Sequence, residues 1–285
     1  MAVVEVTALR VYPVKSLGGL AVDRAKVEPQ GLAGDRRWCL VDEAGNVITA
    51  RESPGLLRLT AEVADDRSIR VTDPADNASI VIGAPHDGPA TRISLSRMPQ
   101  ARLADPDASA WISERVDRGL RLVWQQDPAS RSVSAAHGGQ PGDVLSMADT
   151  GPLLLVCESS LERLNQWICE TTDDRDPTGG VESATPVGPL DVVRFRPNVV
   201  VDGDVPFAED TWRQVQIGDV TFRTTELCDR CVMTTLDPVT LVGGKEPIRT
   251  LARHRRWDGA TWFGIRLLPL SGGSVGRSDP VVPRA

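Results

Sequence analysis

The 285-residue chain contains no apolar run long enough to cross a bilayer. Its most apolar stretch, Pro152 to Cys157, falls far short of the ~20 residues that a spanning helix needs. The first residues, Met1-Ala2-Val3-Val4-Glu5-Val6, lack the basic segment of a secretory leader, so cytoplasmic residence is expected. Positive charge is in deficit as well. Against 39 Asp and Glu there are 32 Lys and Arg, a net charge of −7, which excludes bulk attachment to nucleic acid or an anionic membrane but leaves room for a local basic pocket. The five cysteines are odd in number and dispersed, which excludes a disulfide framework and points to reduced thiols.

Histidine is scarce too. His86 lies in a Pro/Asp/Gly turn, His137 in Ala-Ala-His-Gly-Gly and His254 at the basic end of a predicted helix. With no G-x-S-x-G and no paired Cys/His context, hydrolase chemistry has no visible seat. Acidic pairs such as Asp65-Asp66 and Asp173-Asp174 read as solvated turn and loop charge. The sequence also lacks a G-x-G-x-x-G dinucleotide fingerprint, a C-x₄-C-x₂-C iron–sulfur spacing and any internal repeat.

What remains is a globular chain, 41% hydrophobic and long enough for one large domain or two modest ones. The first hundred residues read as short strands: Val3–Tyr12, Ala21–Glu28, Arg37–Asp42, Val47–Ala50, Leu57–Val63 and Ser68–Thr72, with hairpin turns at Glu43–Asn46 and Asp65-Asp66. That pattern predicts a small β-barrel or sandwich. Asp105 to Val116 predicts a capped helix, and the architecture changes there, giving expected domains of 1–104 and 105–285. Leu120–Trp124 reads as a strand and Pro128 to Asp143 as a long loop. Ser159-Ser160-Leu161-Glu162 predicts a capping box for a second helix with Leu161, Leu164 and Ile168 as its apolar stripe. Thr171 to Asp191 reads as a mobile excursion, Asp191–Val201 and Val215–Thr224 as strands, and Thr261–Leu270 as a closing strand. A third helix is expected from Pro247 to the basic end Arg253-His254-Arg255-Arg256. The expected class is mainly β with some α.

The strongest chemical signal is Cys228-Asp229-Arg230-Cys231. Zinc would need further ligands, and a thioredoxin-like pair would need a βαβ setting. A single thiolate for a softer transition metal at a strand end, kept deprotonated by Arg230, is the third reading, and two ordinary buried cysteines the fourth. Spacing alone leaves these open. Lys15-Ser16 before Gly18-Gly19, and Arg36-Arg37 after Gly34-Asp35, together sketch a phosphate site without being a Walker loop. Arg194 and Arg196 in an apolar strand pattern call for anionic partners or for a half-solvated strand. Asp149-Thr150-Gly151-Pro152 supplies a hydroxyl and a close-approach backbone, or simply a turn.

In chain order, Tyr12-Pro13-Val14-Lys15-Ser16, Gly34-Asp35-Arg36, Thr49-Ala50-Arg51, Phe195-Arg196-Pro197-Asn198, Cys228-x-x-Cys231 with Thr234-Thr235-x-Asp237-Pro238, and Lys245-Glu246-Pro247 resemble one family. They are similar to MOSC proteins with an N-terminal MOSC β-barrel domain, the group of the mitochondrial amidoxime-reducing component and bacterial reductases of N-hydroxylated compounds. The resemblance runs from about Val3 to Asp279. It implies a molybdenum cofactor with a single pyranopterin (Mo-molybdopterin), with Cys231 as metal ligand and catalytic residue, Lys15, Ser16 and Arg36 on its phosphate, and Thr150, Gly151 and Arg196 on the pterin. The implied activity is molybdenum-dependent reduction of N-hydroxylated small molecules, oxygen passing to molybdenum. Electrons would come from a separate ferredoxin-, flavodoxin- or cytochrome-type donor, docked for instance at Arg253–Arg256. The alternative is a non-redox MOSC module that carries sulfur as a Cys231 persulfide or delivers the cofactor. Pyridoxal phosphate, associated with the domain by kinship, finds no aromatic or acidic support around Lys15 in the sequence. Gly151 stands where the family has serine, and Arg266 where relatives of the mitochondrial protein have tyrosine.

Overall fold

The computed structural model describes residues 4–173 and 188–284. Most of the Thr171–Asp191 excursion lies outside the described residues. The observed class is mainly β, with three α-helices among the described residues: α1 (Pro106–Val116), α2 (Glu158–Asp173) and α3 (Ile248–His254). None is long and apolar enough to cross a membrane.

Seven strands close into a barrel. In order around it they are Val199–Val201, Leu153–Cys157, Ala260–Pro269, Val220–Asp229, Gln214–Ile217, Pro280–Arg284 and Val4–Val11, which returns to pair with Val199–Val201. Leu153–Cys157 and Val199–Val201 run parallel, and the other pairings around the ring are antiparallel. Closure leaves no free edge in the ring. Its interior is packed by Leu9, Leu155, Val215, Phe222, Ile265 and Leu267, all fully buried. The first strand of the chain therefore completes the barrel of the C-terminal half. Gly264 is where the Ala260–Pro269 strand bends, at φ +77, and a Cβ there would sit 2.7 Å from the Leu155 carbonyl oxygen.

The rest of the N-terminal half hangs from that strand. Gly18–Val22 pairs with Val4–Val11 and then with Thr60–Asp65, Ser68–Asp73 and Ala78–Gly83 in succession. A five-stranded sheet runs in the order Ala90–Leu95, Met98–Leu103, Arg121–Trp124, Trp38–Val41, Val47–Ile48. The two layers enclose Leu17, Leu40, Leu56, Val71 and Leu122. α1, capped by Asp105 accepting from the Asp107 amide, buries Ala108 and Ile112 in this same core, so its apolar stripe faces the N-terminal layers.

Several local expectations are corrected. Val192–Phe195 is a 3₁₀ turn and only Val199–Val201 of the predicted Asp191–Val201 strand is extended. The reason is Asp191, whose carboxylate accepts from the Val193 amide and starts a turn. α2 begins at Glu158, directly after the strand that ends at Cys157, so the Ser159–Glu162 pattern lies inside the helix instead of capping it. Ser160 is used for tertiary contact: it donates to Glu209 and accepts from the Phe207 amide. Leu164 and Ile168 of the α2 stripe are buried with Phe195 and Phe263. Pro247 is the residue before α3, not its first residue. The strands Ala78–Gly83, Ala90–Leu95 and Met98–Leu103 add to those expected for the first hundred residues.

Replacing Gly264 by alanine forces a side chain into a left-handed conformation and against the neighbouring strand. A loss of about 2 to 4 kcal/mol in stability is expected, read as a lowered urea midpoint at unchanged m-value.

Candidate functional site

A cleft opens where the barrel meets the N-terminal layers. Its walls carry Lys15, Arg36, Arg51, Arg194, Arg196, Arg230 and Arg266 against the acids Asp149 and Asp229, with Cys228 and Cys231 on one side. An acidic protein thus gathers its cations around one cavity.

Three loops deliver Lys15, Arg36 and Arg196, and backbone geometry fixes each. Lys15 and Ser16 follow the Val4–Val11 strand, where the Lys15 amide donates to the Trp38 carbonyl and Ser16 adopts φ +72. Arg36 takes φ +49 with its amide on the Tyr12 carbonyl, and Arg196 takes φ +57 after the 3₁₀ turn. Left-handed backbone at non-glycine residues is uncommon and has to be held by surrounding contacts. Asp35, 1% exposed, supplies them. Its carboxylate accepts from the Tyr12 amide at 2.8 Å, from Asn198 Nδ2 at 2.9 Å and from Arg36 Nη1 at 2.5 Å. Arg36 also donates to Asn198 Oδ1 and the Arg196 carbonyl. Burial alone would lower the Arg36 pKa, but the Asp35 carboxylate outweighs it and raises it. The guanidinium carbons of Arg36 and Arg196 lie 4.8 and 4.4 Å from the Tyr12 ring centre.

Arg196 is the uncompensated member. Burial lowers its pKa to about 10, and its Nη2 is a buried atom with no hydrogen-bond partner. Arg194 Nε and Arg230 Nε are likewise buried without one. Lys15 donates to Asp149 and to the Met147 carbonyl, and holds the Asp149 carboxyl well below the usual carboxylate range. Ser16 lines the cleft and is buried. An anion with several acceptors would answer these donors.

Cys231 sits at the rim, just past the Val220–Asp229 strand, heading the 3₁₀ turn Val232–Thr235. The cation beside it is Arg51, whose Nη2 is 3.2 Å from Sγ. Arg230, the residue expected in that role, points the other way, donating to Cys228 Sγ at 2.8 Å and to the Phe195 carbonyl. Cys228 is packed into the α2 core. The two cysteines therefore have different environments: Cys228 is buried with its thiol engaged by Arg230, and Cys231 is half-buried beside Arg51. Among the described residues no group of three or more His, Cys, Asp and Glu is placed to hold a metal ion, so a protein-only zinc site finds no ligand set.

Of the pterin-side residues, Gly151 lines the cleft and Thr150 is not among its lining residues. The Thr150 hydroxyl donates to Glu226 at 2.9 Å. A Cβ at residue 151 would lie 2.9 Å from Arg266 Cβ, so glycine here and arginine at 266 are one steric unit. In the sequence Arg266 is only a departure from the family and Arg51 only part of a motif; strand pairing brings Arg266 to the site, and the turn after Val47–Ile48 brings Arg51. The basic helix end fares differently. Arg255 is buried between Phe207 and Trp257 and paired with Asp210, and His254 stacks on Trp167, leaving Arg253 and Arg256 as its exposed cations.

Removing one partner from a buried ion pair leaves the other uncompensated. Asp35→Asn is expected to cost about 3 to 5 kcal/mol in chemical denaturation, well beyond the effect of an exposed Asp→Asn change.

Comparison with known proteins agrees with this geometry. Residues 3–119 match the MOSC N-terminal beta barrel domain and residues 141–282 the MOSC domain. The chain is 30% identical to mitochondrial amidoxime-reducing component 1 of Mus musculus, over 97% of this chain and 81% of that protein. To the Homo sapiens protein of the same name it is 29% identical, over 89% and 72%. A molybdenum cofactor sulfurase of Oryza sativa subsp. japonica is 28% identical over 93% of this chain, which spans only 32% of the sulfurase. The chain belongs to the MOSC family, with the MOSC N-terminal β-barrel domain ahead of the MOSC domain.

Proposed function

We propose that the protein is a molybdenum-cofactor oxidoreductase that reduces N-hydroxylated small molecules. The observation that carries this reading is a cleft rich in unanswered arginine donors that ends at an accessible thiol beside Arg51. The donor set fits a phosphate-bearing, sulfur-ligated group: hard, charged donors at one end and a soft ligand at the other. Lys15, Ser16 and Arg36 would hold the phosphate, Arg196 and the backbone at Thr150-Gly151 the pterin, and Cys231 the metal. When bound, the cofactor supplies a two-electron redox centre for N–O cleavage.

The chain's own residues do the positioning. Arg51 places its guanidinium 3.2 Å from Cys231 Sγ and fixes the thiol toward the cleft. Arg131, 2% exposed, fastens the Ser146–Asp149 loop by donating to the carbonyls of Ser146, Ala148 and Asp149, which keeps Asp149 opposite Lys15. Electrons come from a separate redox protein of ferredoxin, flavodoxin or cytochrome type, consistent with the names of the amidoxime-reducing relatives as components. The sulfurase likeness favours a second reading, in which Cys231 carries sulfur as a persulfide without redox turnover.

Cys231→Ser is expected to keep the fold within about 1 kcal/mol, since the residue is half-buried at a turn, and to abolish N-hydroxy reduction. Protein from a cofactor-competent host should contain near-stoichiometric molybdenum and a fluorescent pterin. Sulfane sulfur without molybdenum would favour the carrier, and full reductase activity in Cys231→Ser would refute the role given to the thiol.

A further inference from the structure

A second cavity, about 470 Å³ in volume, adjoins the cleft. Arg194, Arg196 and Met233 line both, whereas Arg10, Tyr12 and Arg58 line the second alone. It lies where the N-terminal layers meet the 3₁₀ turns of the C-terminal half: Leu57 and Thr60 come from one side, Val193 and Leu236 from the other. The volume is that of a small-molecule site. The cofactor reading leaves it unused.

The walls of this cavity are mostly apolar, and its polar groups are unevenly answered. Both lining acids are occupied: Asp237 accepts from Arg194 and from the Val239 and Thr240 amides, and Asp191 accepts from the Val193 amide. The donors are not. Tyr12 is 1% exposed, and its hydroxyl is a buried atom with no hydrogen-bond partner among the described residues. Arg58 Nε is in the same condition, although Arg58 Nη2 reaches Asp73 and the Arg115 carbonyl. A buried hydroxyl without a partner is costly, and a ligand that accepts from it removes that cost. Burial raises the Tyr12 pKa, so the phenol stays protonated and offers its O–H. Arg10 and Arg196 are both close enough to act on it electrostatically, Arg196 with its guanidinium carbon 4.4 Å from the ring centre. Four arginines against two occupied carboxylates leave the cavity cationic.

We propose that this cavity binds a small organic monocarboxylate, its head accepting from the Tyr12 hydroxyl in the field of Arg10 and Arg196 and its apolar body lying against Leu57, Leu236 and Val239. An acceptor is required by the unpartnered O–H, and a negative one by the surplus of guanidinium. No α-helix of the described residues contributes to the wall, so the helix N-terminus that commonly cradles a phosphate is missing. The apolar wall suits a ligand with one charged end and a hydrocarbon or aromatic body. The site is separate from the chemistry of the cleft and stands whether or not the protein reduces N-hydroxylated compounds.

Tyr12 is the only tyrosine of the chain, so protein labelled with tyrosine carrying ¹³C at Cζ gives a single resonance that reports this phenol. Titrating 3-phenylpropionate into protein from a cofactor-competent host should shift that resonance saturably, with a Kd below about 1 mM. The neutral 3-phenylpropionamide, which keeps the body, and acetate, which keeps the head, should each bind at least about 10-fold more weakly. Tyr12→Phe retains the ring and should melt no lower than wild type, yet bind 3-phenylpropionate about 5- to 10-fold more weakly by calorimetry. Leu236→Trp, which fills the cavity while leaving Tyr12 in place, should abolish the shift. Absence of a saturable shift, equal binding of acid and amide, or undiminished binding in Tyr12→Phe would overturn the proposal. Binding lost in Lys15→Met but kept in Tyr12→Phe would assign the carboxylate to the cleft and overturn it as well.

Discussion

The site depends on one buried carboxylate. Asp35 reaches the backbone at Tyr12, the side chain of Asn198 and the guanidinium of Arg36, and each belongs to a different loop. A carboxylate taken out of water is tolerable only when its acceptor positions are filled and its charge is answered. Filling them draws the loops of Lys15, Arg36 and Arg196 together. The same tie joins the N-terminal layers to the barrel, since Asn198 also binds the Arg10 carbonyl and the Leu154 backbone. Assembly of the fold and convergence of the cations are one event.

Electrostatics then works by exclusion of partners. Lys15 is answered by Asp149, Arg36 by Asp35, Arg194 by Asp237 and Arg266 by Glu226. Arg196 has no carboxylate of its own, and its buried Nη2 has no acceptor. A chain of net charge −7 can hold such a pocket because its acids are spread over the surface, where water screens them, while the cleft concentrates cations in a poorly screened volume.

The residues of this pocket were legible in unequal degree. Lys15-Ser16 and Gly34–Arg36 stood out because glycines and cations adjoin strand ends, and Cys231 because two thiols three apart invite a chemical reading. The cation beside Cys231 is not its neighbour in sequence. Arg230 is next to it in sequence, yet at the end of a strand successive side chains point to opposite sides, so Arg230 meets Cys228 and the Phe195 carbonyl. Arg51 arrives from 180 residues away because the barrel and the N-terminal layers pack together. The capping-box pattern at Ser159 failed for a related reason: Ser160 hydrogen bonds to Glu209 and Phe207, contacts that no local pattern encodes.

Sequence alone determined what local physics decides: strands where β-branched and apolar residues alternate, the hairpins at Gly45 and Gly218 where positive φ is needed, and α1 after Asp105. It also determined the ordered motifs that mark the family. Tertiary structure decided which core each element joins. Helical spacing put Ile112 on an apolar face but not on which body, and nothing in Val4–Val11 says that it closes a barrel whose other strands lie beyond residue 150. It also decided that Arg255 is a buried stacking residue, that Gly151 and Arg266 share one space, and that His137 meets Glu226. These are pairings between distant segments. Their energies depend on what is excluded from water when two surfaces meet, which is set by the packed whole and not by any stretch of chain.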